Sequence, residues 1–142
     1  MKRATFAAGC FWGVEVAFQD LKGVVDTKVG FMGGSTESPS YRQVCTDRTG
    51  HAEVVHITYD DSIIGYGELL DVFWSIHDPT QKDRQGPDVG TQYRTAIFFH
   101  DDEQRMGAEM SRGDLERSHR YARPIATAIE RAGAFWPAEE YH

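Results

Sequence analysis

Cysteine is scarce in this chain. Two in 142 residues exclude a disulfide framework, suit a reducing compartment and leave room for thiol chemistry. Positive charge is in deficit as well: 15 lysines and arginines stand against 22 acids, a net charge of −7. Proteins that hold a nucleic-acid backbone carry a basic patch or stripe, so no nucleic-acid partner is expected. Long apolar runs are missing, and nothing approaches the ~20 apolar residues of a membrane-spanning helix. Lys2-Arg3 followed by Ala7-Ala8-Gly9-Cys10 imitates a lipoprotein signal, but the apolar part is too short for that and contains Thr5. A cytoplasmic protein, off the membrane, is expected. Cys-x-x-Cys and His-Glu-x-x-His are absent, and Gly30 to Gly34 lacks the lysine and spacing of a phosphate loop, so that stretch reads as a turn. Neither a bound metal nor a bound cofactor is expected.

What is present is ordinary in bulk and pointed in detail. Hydrophobic residues at 40% and charged residues at 26% are typical of a globular protein. With no repeat, low-complexity segment or linker, residues 1–142 read as one domain with one core. The chain is organised around Gly9-Cys10-Phe11-Trp12-Gly13-Val14-Glu15. Apolar residues at Val14, Ala17, Phe18 and Leu21 share one helical face, so Cys10 falls at or just before a helix N-terminus. Unpaired backbone N–H groups and the helix dipole there favour a negatively charged sulfur. Gly9 frees the turn. Gly13 costs the helix about 1 kcal/mol against alanine, which suggests a close approach at that point. The plain alternative is a buried small cysteine beside two core aromatics.

Taken in order, Ala4 to Ala8 reads as a strand, 11 to 21 as a helix ended by Gly23, and Val24 to Met32 as a strand broken by Gly33-Gly34. Ser35 to Gly50 is a long polar loop. Val54 to Tyr59 alternates as a half-buried strand. Residues 66 to 76 form a helix closed by Asp78-Pro79, and Thr80 to Gln92 is a second long loop. Tyr93 to His100 is a core strand, and Asp101 to Ser118 opens with acids suited to a helix N-terminus. Pro124 to Ile129 is a last strand before an irregular aromatic tail. The mixture predicts an α+β fold: a single-domain, two-layer α/β sandwich with a mixed sheet, flanking helices and long irregular loops.

Loops held on a rigid scaffold carry chemistry. These offer Tyr41, Cys45, Asp47, His51 and Glu53 from the first, and Asp83, Asp88 and Tyr93 from the second. Cys10 can be paired on paper with His51, His56, His77 or His100 as a cysteine hydrolase, though no local signature selects one. Bland readings stand beside each candidate: Phe11 and Trp12 as core aromatics, Tyr41 and Tyr93 as packed tyrosines, Glu53 as a solvated strand end, Asp88 as an Asx turn. Glu15, His51 and His77 read as structural.

Gly9-Cys10-Phe11-Trp12-Gly13-Val14-Glu15 resembles the signature of the A-type peptide methionine sulfoxide reductases. The resemblance continues in Pro39-Ser40-Tyr41-Arg42-Gln43-Val44-Cys45, Thr49-Gly50-His51-Ala52-Glu53, His77-Asp78-Pro79, Gln85-Gly86-Pro87-Asp88-Val89-Gly90-Thr91-Gln92-Tyr93-Arg94 and Phe135-Trp136-Pro137-Ala138-Glu139-Glu140-Tyr141-His142. These motifs span nearly the whole chain. The resemblance implies reduction of methionine S-sulfoxide, in peptides and as the free amino acid, through a sulfenic acid at Cys10. It also implies Glu53 as the acid, Tyr41 and Tyr93 as hydroxyls holding the sulfoxide oxygen, Phe11 and Trp12 as the methyl pocket, and Asp88 as the group that binds substrate backbone. An apolar surround would keep Glu53 protonated near neutrality.

Three positions depart from the family pattern: Phe31 stands for a common tyrosine, Asp47 for a usual glycine and Pro87 for a common asparagine. No cysteine follows Cys45, and many members carry a recycling cysteine in a glycine-rich tail. The family's cysteine at the place of Cys45 generally does not resolve the sulfenic acid. The expectation is therefore a monomer acting on oxidised proteins and peptides, recycled by an external thiol: thioredoxin, or glutaredoxin with glutathione. Rivals are another cysteine enzyme, such as a thiol peroxidase, or a non-catalytic domain that binds methionine sulfoxide.

Overall fold

A computed structural model describes residues 1–35, 40–45 and 50–138, excluding the side chains of Tyr41 and Cys45. The elements are β1 (Lys2–Ala8), α1 (Phe11–Gln19), β2 (Val24–Met32), α2 (Tyr41–Cys45), β3 (Ala52–Tyr59), α3 (Tyr66–Ser75), β4 (Arg84–Gln85), β5 (Asp88–Val89), a 3-10 turn (Thr91–Tyr93), β6 (Thr95–Phe99), α4 (Asp102–Arg117), β7 (Ala128–Arg131) and β8 (Trp136–Pro137).

Six strands form one sheet in the order β7-β6-β1-β3-β2-β8, and β4 and β5 form a separate hairpin. All pairings in the large sheet are antiparallel except β6 with β7. That one parallel pair needs a crossover, which α4 supplies. The sheet is mixed and the fold is α+β, as the sequence predicts. Strand alternation gives the sheet two different faces. Ala4, Phe6 and Ala8 of β1 and Val55, Ile57 and Tyr59 of β3 point to the helices. There they meet Val14 and Phe18 of α1, Leu69, Leu70, Phe73 and Trp74 of α3, and Ala108 of α4. Phe6 is the hub, with its ring 5.4 Å from that of Phe18 and 5.2 Å from that of Phe73. Fully burying one such ring contributes roughly 1.5–3 kcal/mol. Ala7, Met32, Ala52, Val54, Ala96 and Phe98 point the other way, and the C-terminal segment covers them through Ala128, Ala132 and Phe135.

The helices start and stop for local reasons. The Asp101 side chain caps α4 by accepting from the Gln104 N–H at 2.8 Å, while Gln104 accepts the His100 N–H at 2.9 Å. This reciprocal satisfaction of free amides marks a helix start. The C-terminus of α3 is closed by His77, whose Nδ1 lies 2.7 Å from the Phe73 carbonyl oxygen.

Several expectations are corrected. Helix α1 stops at Gln19, two residues early, and β3 begins at Ala52. The strand expected over Tyr93 to His100 is Thr95–Phe99, because Tyr93 ends a 3-10 turn. The last strand lies at Ala128–Arg131 instead of Pro124 to Ile129: it is set in register by Ala96 to Phe99, not by local propensity. Gly30 is a strand residue instead of part of a turn. The first loop holds α2 and the second holds the β4–β5 hairpin. Trp136–Pro137, read as irregular, pairs with Gly30 and Phe31. A two-residue strand has no periodicity for a sequence to show.

Candidate active site

Gly9 bends the chain from β1 into α1 at a φ of +96°. A Cβ there would lie 2.9 Å from the Cβ of Gln85, so glycine is required twice, by conformation and by space. Gln85 is itself clamped. Its Oε1 accepts the Asp78 N–H at 2.8 Å, and its Nε2 donates to the Asp78 carbonyl at 3.0 Å. The turn at Asp78-Pro79 is thereby tied to the second long loop and to the floor under Cys10. The sequence reading missed Gln85. No local property marks it, because its importance comes from a neighbour 76 positions earlier.

Cys10 is the N-cap residue of α1 and is half-buried. Its carbonyl accepts the first helical bond, from the Val14 N–H at 3.3 Å. Phe11 is buried. Trp12, 40% exposed, meets it edge-on with ring centroids 5.3 Å apart. That exposure excludes the core-aromatic reading for Trp12. Among the described residues nothing lies within 4 Å of a Cβ built on Gly13, so the close approach expected there is absent.

Glu53 is 1% exposed, which rules out a solvated strand end. It pairs with Phe31 across the β2–β3 ladder, and the Phe31 ring stands 5.7 Å from that of Phe11. Glu53 Oε1 accepts the Phe11 N–H at 3.1 Å, one of the free amides of the first turn of α1. That bond brings the carboxyl to the residue beside Cys10. Its Oε2 is buried without a partner among the described residues. Burial pushes the carboxyl pKa up to about 7; the Phe11 N–H opposes the rise, and the negative charge of Asp88 adds to it. An acid that is half-protonated at neutrality is what general-acid chemistry requires.

Asp88 is half-buried in the β4–β5 hairpin, opposite Gln85. Tyr93 is half-buried at the end of the 3-10 turn, which packs against β3. The expected roles of Tyr41 and Cys45 rest on side chains outside the described residues; the backbone of both lies in α2, anchored by buried Val44. Glu15 is occupied elsewhere, its Oε2 accepting the Thr27 hydroxyl at 2.9 Å. His51 Nδ1 accepts the Gly34 N–H at 3.0 Å and fixes the loop entrance. His77 bridges Phe73 to Thr95. Gln92, also missed, is 4% exposed with its Oε1 unpartnered among the described residues. Among those residues no group of three or more His, Cys, Asp or Glu is placed to hold a metal ion, and no helix is long and apolar enough to cross a membrane.

The chain shares this architecture and these motifs with known proteins. The peptide methionine sulfoxide reductase family model matches residues 2–142. The peptide methionine sulfoxide reductase MsrA of Methanoculleus marisnigri is 60% identical over 142 residues, which cover all of this chain and 87% of that one. Among solved structures, reduced Mxr1 from Saccharomyces cerevisiae superposes with a TM-score of 0.92 at 40% identity, covering 99% of this chain and 81% of that one. The same yeast protein in complex with Trx2 gives a TM-score of 0.72 at 29% identity, covering 98% and 81%. A family match over nearly every residue, on a fold that brings a buried carboxyl to the N-terminus of the cysteine's helix, places the chain in the peptide methionine sulfoxide reductase family.

Proposed function

We propose that residues 1–142 form one catalytic unit that reduces methionine S-sulfoxide, free or in peptides, to methionine. The observation that carries the reading is the buried Glu53 carboxyl, with a pKa near 7, hydrogen-bonded to the amide beside Cys10. A sulfoxide oxygen leaves only with a proton. The Cys10 thiolate attacks the sulfoxide sulfur while protonated Glu53 gives its proton to the oxygen. The attack forms a bond between Cys10 Sγ and the substrate sulfur, and the protonated oxygen leaves as water. A water then attacks Sγ, breaking that bond to release methionine and leave Cys10 as a sulfenic acid. Cysteine is oxidised by two electrons and the substrate sulfur is reduced by two. Phe11 and Trp12 receive the methyl group, Tyr41 and Tyr93 hold the oxygen, and Asp88 binds substrate backbone. With methyl, oxygen and nucleophile in three fixed directions, one epimer fits.

The sulfenic acid is returned to thiol by two equivalents of an external thiol. The first forms a mixed disulfide and releases water; the second releases Cys10. The yeast relative's structure with Trx2 supports thioredoxin in that part.

The test uses separated epimers of N-acetyl-methionine sulfoxide with excess dithiothreitol. Wild type turns over the S epimer alone, Cys10→Ser turns over neither, and Glu53→Gln is slower by ~10²–10⁴-fold. Folded wild type that reduces neither epimer would sink the proposal.

A further inference from the structure

The sheet face opposite Cys10 and Glu53 carries a second cluster of ionisable side chains that the reaction leaves unused. Arg3 and Thr5 of β1, His56 and Thr58 of β3, and Asp26 and Lys28 of β2 share that face, and His100 follows β6. Arg3, Lys28, His56, His100, Phe135 and the carboxylate of Asp26 contribute to the lining of a cavity of about 440 Å³, far more than the ~30 Å³ share of one water. Behind the two histidines Thr5 is fully buried, with its hydroxyl 2.8 Å from both His56 Nδ1 and His100 Nε2. A hydroxyl has one proton to donate. One ring therefore presents an N–H to Thr5 and the other a bare nitrogen. The ring with the bare inner nitrogen carries its proton on the outer one; the other ring has a bare outer nitrogen. A single added proton turns both outer nitrogens into donors. Phe135, stacked on His56 at 4.8 Å between centroids, holds that ring in place.

Arg3 and Lys28 complete the cluster. Among the described residues neither lies within ion-pair distance of a carboxylate. Burial, then His100, Arg3 and Lys28 hold the His56 pKa down to about 4 against the pull of Asp26. His100 is lowered by burial and Arg3 against Asp101. On β7, Glu130 lies beside Phe98 on the same face by strand alternation, and the Arg131 guanidinium lies over Phe99. Two unpaired cations beside two imidazoles make a field that rejects protons until an anion enters it.

We propose that this cavity is an oxyanion site for a phosphoryl group, with Arg3 and Lys28 supplying fixed charge and His56 and His100 supplying N–H donors. Against Arg3 and Lys28 the lining sets one carboxylate, Asp26, so the wall carries one net positive charge. A proton on the imidazole pair brings it to the two that a phosphoryl dianion matches. The dianion's negative charge beside two imidazoles favours their charged forms, so binding draws a proton onto the pair.

The experiment follows the imidazole C–H resonances of the full chain from about pH 4.5 to 7 during titration with inorganic phosphate at constant ionic strength. The resonances of His56 and His100 are expected to move together and saturate, with an apparent pKa raised by about one unit. The double variant Arg3→Gln, Lys28→Gln, at two exposed positions, should bind at least ~10-fold more weakly and keep wild-type turnover of the S-sulfoxide. Phenyl phosphate binding more tightly than inorganic phosphate would support the site and assign its ligand to aromatic phosphates over Phe135. Equal affinity would support it as a site for the free oxyanion. Shifts that rise linearly and match those produced by chloride, or unchanged affinity in the double variant, would overturn the proposal.

Discussion

Glu53 can serve as an acid because it is kept from water. With its pKa at about 7, the protonated fraction falls tenfold per pH unit above neutrality. Where Cys10 is fully thiolate, the kcat/KM for the S epimer should therefore fall with rising pH at a slope approaching −1, and Glu53→Gln should lose that alkaline limb along with most of its rate. The same shift has a consequence for stability. Between the ordinary value of 4.5 and about 7, the native carboxyl holds a proton that the unfolded chain has shed. The stabilisation is fully present below pH 4.5 and is lost as pH rises through 7. It is on the order of 3 kcal/mol. Glu53→Gln keeps an acceptor for the Phe11 N–H and removes the charge, so its urea midpoint should exceed that of wild type at pH 8 and match it near pH 4.5. A variant less stable than wild type at pH 8 would contradict the desolvation account. The identity of this acid was legible through motif resemblance. Its burial was not, because the strand start looks polar and its apolar walls, Phe11 and Phe31, come from two other elements.

At the scale of elements, the short pieces reveal most. Strand β8 exists because Gly30 leaves room for it. A Cβ on Gly30 would stand 2.3 Å from the Trp136 carbonyl oxygen and 2.7 Å from the Phe135 ring. Gly30→Ala should push the C-terminal segment off β2, at a cost of ~1–3 kcal/mol. The amide of Ala138, which donates to the Val29 carbonyl at 3.0 Å, should exchange with deuterium much faster. Unchanged exchange there would mean that β8 is not held by Gly30. The long elements were legible because each carries its own period: Leu69, Leu70, Phe73 and Trp74 stripe α3, and Val55, Ile57 and Tyr59 alternate along β3. The β4–β5 hairpin, β7 and β8 have two to four residues each and take their conformation from partners.

The whole molecule responds to acid through its histidines. His77 Nδ1 faces a carbonyl, which can accept but not donate, so this nitrogen carries the proton. Neutral His77 then accepts from Thr95 through Nε2 at 2.8 Å, and Thr95 accepts from Thr127 at 2.8 Å. This chain joins α3, β6 and the segment before β7. A proton on Nε2 forces the donor order along the chain to reverse, and burial, which disfavours the charged ring, holds the pKa down to about 4. His56 is likewise lowered to about 4, and His100 is lowered by burial. For these groups the stability is present above pH 6.5 and lost as pH falls towards 4, a direction opposite to that of Glu53. Three histidines against one carboxyl predict net destabilisation on acidification from pH 6.5 to 4.5. Urea unfolding at the two values measures it. His77→Gln, less stable than wild type at pH 7, should show a smaller loss between them; an equal loss would remove His77 from the account.

The sequence by itself determined the fold class, the family and the helix start that carries Cys10, since these rest on local periodicity, glycine positions and ordered motifs. It also excluded a disulfide framework. Only the tertiary structure decided that Glu53 is dry and tied to the amide beside Cys10, that Gln85 supports Gly9, and that Thr5 links two histidines on the far face. Each depends on residues distant in the chain meeting where water is excluded, and exclusion of water is a property of packing that no local pattern encodes.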